Sequence, residues 1–148
     1  MTSRAAAAIA ALQQALAAEQ AVSYGYGVVG AHLPAGSAAV AAADADWVAH
    51  LRAGDQLTEM ISARGGQPAA AAVAYRLPFP VTSAAAAQRL AATMEDSVTQ
   101  AYLFVVALPE AGLRSFGARQ VRAAALRAES WRGTTEAFPG LPASSLRR

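Results

Sequence analysis

Tyr75-Arg76-Leu77-Pro78-Phe79-Pro80-Val81 is apolar and yet cannot be helical. Pro78 and Pro80 fix their own φ, remove two amide donors and push the residues before them into extended backbone. The break in helical pattern around this stretch runs from residue 67 to 82. An apolar, proline-stiffened connection of that length is unusual for a plain loop. It suits a segment that crosses the outside of a helical bundle and packs on it. Extended, it could reach about 50 Å, while a helix of about 26 residues is about 39 Å long. The connection can therefore return the chain to the end where the preceding helix began.

On either side of the break the chain reads as two helical hairpins. Helix one is expected from Ser3, as N-cap, to about Gly30, with Ile9, Leu12, Leu16, Glu19, Ser23 and Tyr26 at three- and four-residue steps. His32 to Gly36 reads as a turn. Helix two is expected from Ser37 to Gly65-Gly66, with Ala43, Trp47, His50, Gly54, Leu57 and Ile61 on one face. Helix three is capped by Thr82 or Ser83 and runs to about Leu108, facing inward with Leu90, Met94, Val98, Tyr102 and Val105, Glu95 at the border. Helix four takes Pro109 as its first residue, carries Leu113, Phe116, Gln120, Ala123, Leu126 and Ser130, and ends near Ala137. Residues 1–140 form one domain, followed by a flexible tail at 141–148.

Two hairpins joined by one long crossover between helices 2 and 3 make an all-α, antiparallel four-helix bundle of the ferritin-like kind. The alternative is an up-down-up-down bundle with a floppy loop, which the apolar Leu77-Pro78-Phe79-Pro80 argues against.

Composition narrows the rest. The chain has 148 residues, 55% of them hydrophobic, and alanine supplies much of that fraction. Alanine forms helix readily but buries little area. The helices should then lie close together around a few anchors, among them Leu12, Leu16, Trp47, Leu51, Leu57, Leu90, Tyr102, Phe116, Leu126 and Trp131. The absence of cysteine excludes disulfides, thiolate metal sites and cysteine nucleophiles. All twelve basic residues are arginine, scattered, with a net charge of +2. No basic stripe marks a nucleic-acid reader. The charge-free run from Gln20 to Ala43 contains four glycines and Pro34, and reads as a helix corner, not a membrane span. A cytoplasmic location is the expectation.

The chain resembles a ferritin-like family of unknown function from high-GC Gram-positive bacteria. The residues that carry the resemblance are Ala18-Glu19-Gln20-Ala21 and Tyr24-Gly25-Tyr26-Gly27, His50 and Asp55, Tyr75 with Leu77 to Val81, Glu95-Asp96, Arg127 and Trp131-Arg132. It covers nearly the whole chain. It implies a four-helix bundle, often a homodimer, with no established activity. Members often carry histidine after the helix-one glutamate, where this chain has Gln20.

A di-iron bundle needs a glutamate from each of two helices and a Glu-x-x-His pair from each of the other two. This chain has no Glu-x-x-His and two histidines, one of them, His32, in a turn. The standard centre therefore fails by count. A reduced metal site is one reading: Glu19, His50 and Glu95, with Glu129 as a less favoured fourth, form a ligand set compatible with iron or manganese. The competing reading is a satisfied core network, because a buried carboxylate is costly unless paired. Arg119, Arg122 and His50, together with Tyr24, Tyr26 and Tyr102, are the available partners. The expectation is no cofactor, and Glu19 buried against a basic or tyrosyl side chain.

Asp44-x-Asp46 and Asp55-x-x-x-Glu59 read as solvated helix surface. No phosphate-cradling glycine loop or nucleophile elbow is present. Ser144 to Arg148 loosely resembles the tags that load cargo into encapsulin shells. Three functions follow: a non-enzymatic module acting through binding as a homodimer, a degenerate or mononuclear metal-dependent oxidoreductase, or a carrier of an apolar ligand between the alanine-rich helices.

Overall fold

The computed structural model describes residues 2–133, and that range holds four helices: α1 (Ser3–Ala31), α2 (Ala38–Ser62), α3 (Ala84–Val106) and α4 (Ala111–Arg132). Three begin alike. The side chains of Thr2, Ser37 and Ser83 accept hydrogen bonds from the amides of Ala5, Val40 and Ala86 at 3.1–3.2 Å, each satisfying one orphan donor of a first turn.

The boundaries correct the sequence reading in several places. Thr2, not Ser3, caps α1, and α2 stops at Ser62, ahead of the glycines. Pro109 lies outside α4, where Glu110 takes the capping position without a side-chain bond. α4 ends at Arg132 because Gly133 turns left-handed, with φ of 76°. The expected tail at 141–148 and the tag at its end lie outside the described residues.

Atom pairs fix the topology. His50 meets Glu19 and Asp46 meets Tyr26, so α1 and α2 run antiparallel. Glu19 meets Tyr102 and Tyr26 meets Glu95, so α1 and α3 do too. Glu95 meets Arg127 while Tyr102 stacks edge-on against Phe116, making α3 and α4 the third antiparallel pair. α1 packs extensively on both α2 and α3, and α3 on α4. The expected all-α four-helix bundle is what forms, with α2 and α3 joined by a crossover.

The crossover is a packed strap. Near its start, the Gln13 side chain donates to the Gln67 carbonyl at 2.6 Å and accepts from the Ala69 amide at 3.1 Å, while Gln20 donates to the Ala69 carbonyl at 2.8 Å. Near its end, Leu77, Phe79 and Val81 pack on the core, and the Arg89 guanidinium lies 4.6 Å from the Phe79 ring centre.

Neighbour relations decide burial. The inner helices α1 and α3 bury ten and eleven residues, whereas α2 and α4, with one extensive neighbour apiece, bury five each. Three expected anchors on the outer helices are accordingly not core: Trp47 is 42% exposed, Leu51 40% and Leu126 56%. Small residues set the spacing. A Cβ on Gly117 would sit 3.1 Å from the Val106 backbone, so glycine lets α4 approach the end of α3. No helix among the described residues is long and apolar enough to cross a membrane.

Candidate functional site

Glu19 and Tyr26 lie seven residues apart on α1, and Glu95 and Tyr102 lie seven apart on α3. Seven residues make nearly two helical turns, about 10.5 Å, so each pair shares a face. The two helices are antiparallel, and each tyrosine therefore meets the other helix's glutamate. Tyr26 donates to Glu95 Oε1 at 2.6 Å, and Tyr102 donates to Glu19 Oε1 at 2.7 Å.

His50 enters between them from α2. Its Nδ1 lies 2.6 Å from Glu19 Oε2 and its Nε2 lies 2.9 Å from Glu95 Oε1. Two carboxylates can both accept only if both ring nitrogens carry protons, which makes His50 an imidazolium. Arg127 enters from α4 on the other side, its Nε donating to Glu95 Oε1 at 3.0 Å. The Tyr26 ring stacks on the His50 ring with centres 5.4 Å apart. Glu19, His50 and Glu95 are each at most 1% exposed.

Two carboxylates thus face two cations, and that balance is what makes burial of four charges tolerable. Burial alone would pull the His50 imidazole down, but the hydrogen bonds and charges of Glu19 and Glu95 outweigh it and raise it to about 9. Burial would raise the Glu95 carboxyl, but His50, Arg127 and Tyr26 together hold it below its ordinary value. Burial beside carboxylates pushes both Tyr26 and Tyr102 far above the usual phenol range, so both stay protonated donors. Arg127 is raised as well, burial being outweighed by Glu95.

At the edge of this layer sits Asp46, half-buried and not the solvated acid the sequence suggested. Trp131 Nε1 is 2.9 Å from Asp46 Oδ2 and 3.1 Å from the Tyr26 hydroxyl, sharing its proton between them. Tyr26 spends its single proton on Glu95, so the 3.3 Å approach of its oxygen to Asp46 Oδ2 is weak. Burial raises the Asp46 carboxyl above its ordinary value, and the nearby charge of Glu95 adds to the rise.

The three leading candidates, Glu19, His50 and Glu95, are therefore brought together, and Glu19 is buried against a basic and a tyrosyl partner as expected. Its cation is His50. Arg119 and Arg122, the other suggested partners, are exposed, and so is Tyr24, which packs on Tyr75 with ring centres 5.7 Å apart. Glu129 is partly buried, and the place opposite Glu95 on α4 belongs to Arg127. Sequence reasoning underrated Asp46 and Arg127. The repeated Glu-x6-Tyr on α1 and α3 was the signal that marked this layer.

The arrangement does not fit a ferritin-type metal centre. Both His50 nitrogens point at carboxylates, which leaves no imidazole lone pair for a metal. Among the described residues no group of three or more His, Asp or Glu side chains is placed to hold a metal ion. One acceptor is unspent: Glu95 Oε2 is buried with no hydrogen-bond partner.

Residues 11–143 match the family described as Domain of unknown function (DUF4439), and the chain belongs to that family. Among solved structures it is similar to a conserved hypothetical protein, rv2844, from Mycobacterium tuberculosis. The two share 37% sequence identity over 86% of this chain and 96% of the other, with a TM-score of 0.82. No curated protein matches.

Proposed function

We propose that this protein is a non-enzymatic helical module of ferritin-like descent, which works through binding and in which a charged hydrogen-bond layer takes the place of a metal centre. The observation that carries the reading is the His50 imidazole, bonded through both nitrogens to Glu19 and Glu95. A protonated histidine and Arg127 supply the positive charge that a metal would otherwise bring to two buried carboxylates. All four members are hydrogen-bonded within the layer, and apart from Glu95 Oε2 their polar atoms there are spent on one another rather than offered to a substrate.

The module acts as a homodimer in this reading. α2 leaves Trp47, Val48 and Leu51 exposed at 38–42%. These positions are neighbours on one helix face, and a second copy of the chain would cover them.

Elemental analysis and native mass of the purified chain test both parts. The expected result is no stoichiometric iron, manganese or zinc, and a mass of two chains. A single-chain mass removes the dimer. Near one metal per chain replaces the reading with a metal-dependent one, for which the unspent Glu95 Oε2 is the available ligand atom.

A further inference from the structure

Between the strap, α1 and α3 lies a cavity of about 310 Å³, separate from the charged layer. It exists because its walls are short and its roof is held up. α1 contributes Ala18 and Ala21 where longer side chains would fill the space. The strap segment from Tyr75 to Pro78 forms the roof. Its path is set by ties to Gln13 and Gln20 upstream and by Phe79 under Arg89 downstream. The pocket opens to solvent past the exposed Arg76 and Pro78, so a ligand could enter without unfolding the strap. The volume lies at the small end of ligand sites, which run from about 300 to 1,000 Å³. At about 30 Å³ per water-sized group it holds roughly ten non-hydrogen atoms.

The lining is mostly apolar and carries no acidic side chain. Its polar atoms define the rest of the ligand. Thr93 and Ser97 donate their hydroxyl protons back to the carbonyls of Arg89 and Thr93 within α3. Arg76 stands at the exposed rim of the pocket and forms no ion pair among the described residues. The Tyr75 hydroxyl accepts from the Ala72 amide, which leaves its own proton to give. One unpaired guanidinium and one phenol beside an apolar chamber match a single negative charge on a short apolar tail.

We propose that this cavity binds a small monocarboxylate, its tail of six to eight carbons between Ala21 and Leu77 and its carboxylate paired with Arg76. The inference rests on the binding reading above and names its ligand class. The two fail separately, since metal content and native mass say nothing about this cavity.

Octanoate and 1-octanol, titrated into the full chain by calorimetry and by amide NMR, test it. Octanoate should bind once per chain and shift the amides of Tyr75, Arg76 and Leu77. Arg76→Gln should weaken octanoate about tenfold, the equivalent of one charge-assisted hydrogen bond, and leave octanol unchanged. Ala21→Leu, with helicity checked by circular dichroism, should abolish both. The proposal is overturned by an absence of saturable octanoate binding, by shifts confined elsewhere, or by an Arg76→Gln variant that binds octanoate as tightly as the parent. The NMR map keeps the test decisive even if Ala21→Leu fails to fold.

Discussion

Glu19 and Gln20 are neighbours in the chain and belong to two different worlds. Glu19 points inward, fully buried, bonded to His50 and Tyr102. Gln20 points outward, partly exposed, and ties the strap through the Ala69 carbonyl. One helix therefore holds the bundle together by ionic bonds on one side and by neutral amide bonds on the other. The difference teaches where stability and specificity reside. In the buried layer each bond is strong because the alternative is an unpaired charge in an apolar core. On the strap side, water can replace whatever bond is lost, so the ties fix a path for the chain at small energetic cost.

The sharpest way to break that contrast is His50→Ala. It removes the bridge and leaves Glu19 and Glu95 buried with less compensation, and should cost about 3–5 kcal/mol of folding stability in denaturant titration. A loss below about 1 kcal/mol would mean that the layer is not ionic in the sense argued here.

The pH dependence follows from the same bridge. The imidazole is raised from 6.5 to about 9, so its contribution is whole below about pH 6.5 and disappears as pH rises through 9. Glu95 is lowered from 4.5, so its contribution is whole above about pH 4.5 and is lost as pH falls through its lower folded value. Stability should be greatest between about pH 4.5 and 6.5. It should fall by on the order of 3 kcal/mol toward pH 9.5, the His50 shift converted at about 1.36 kcal/mol per unit. Thermal midpoints across pH check the sign. In His50→Gln the alkaline decline should vanish.

Tyr102→Phe keeps the ring against Phe116 and deletes one donor to Glu19. A hydrogen bond to a charged group contributes about 1.5–3 kcal/mol, and the variant should lose that much. The smallest effect belongs to the strap. Gln13→Ala removes two bonds to it, yet global stability should change by about 1 kcal/mol or less. Hydrogen exchange at the Ala69 amide should instead accelerate markedly. If Gln13→Ala proved as damaging as Tyr102→Phe, the strap would belong to the cooperative core and the contrast would fail.

Much of this was legible in the residues. Leu77-Pro78-Phe79-Pro80 announced a packed crossover, and the strap does pack through Leu77 and Phe79. The convergence of Glu19, His50 and Glu95 was read from helical spacing, and the hydrogen bonds between them bear that convergence out. Other readings missed for a common reason. Trp47, Leu51 and Leu126 look like anchors by type and spacing, but an outer helix with one extensive neighbour buries only a narrow stripe. Asp46 was read as surface by residue type, although it lies about 200° around the helix from the exposed Asp44.

By itself the sequence determined where helices form and, to within a few residues, where they stop, since serine and threonine caps, glycines and paired prolines act within a few residues of themselves. It also determined which side chains share a face, because the 3.6-residue period is local. Tertiary structure alone decided what each face meets. Whether Arg127 or Arg119 reaches Glu95, and whether His50 offers a lone pair or a proton, depends on how far each helix is rotated and which neighbour stands opposite. Those quantities are set by the packing of all four helices at once, and no single helix encodes them.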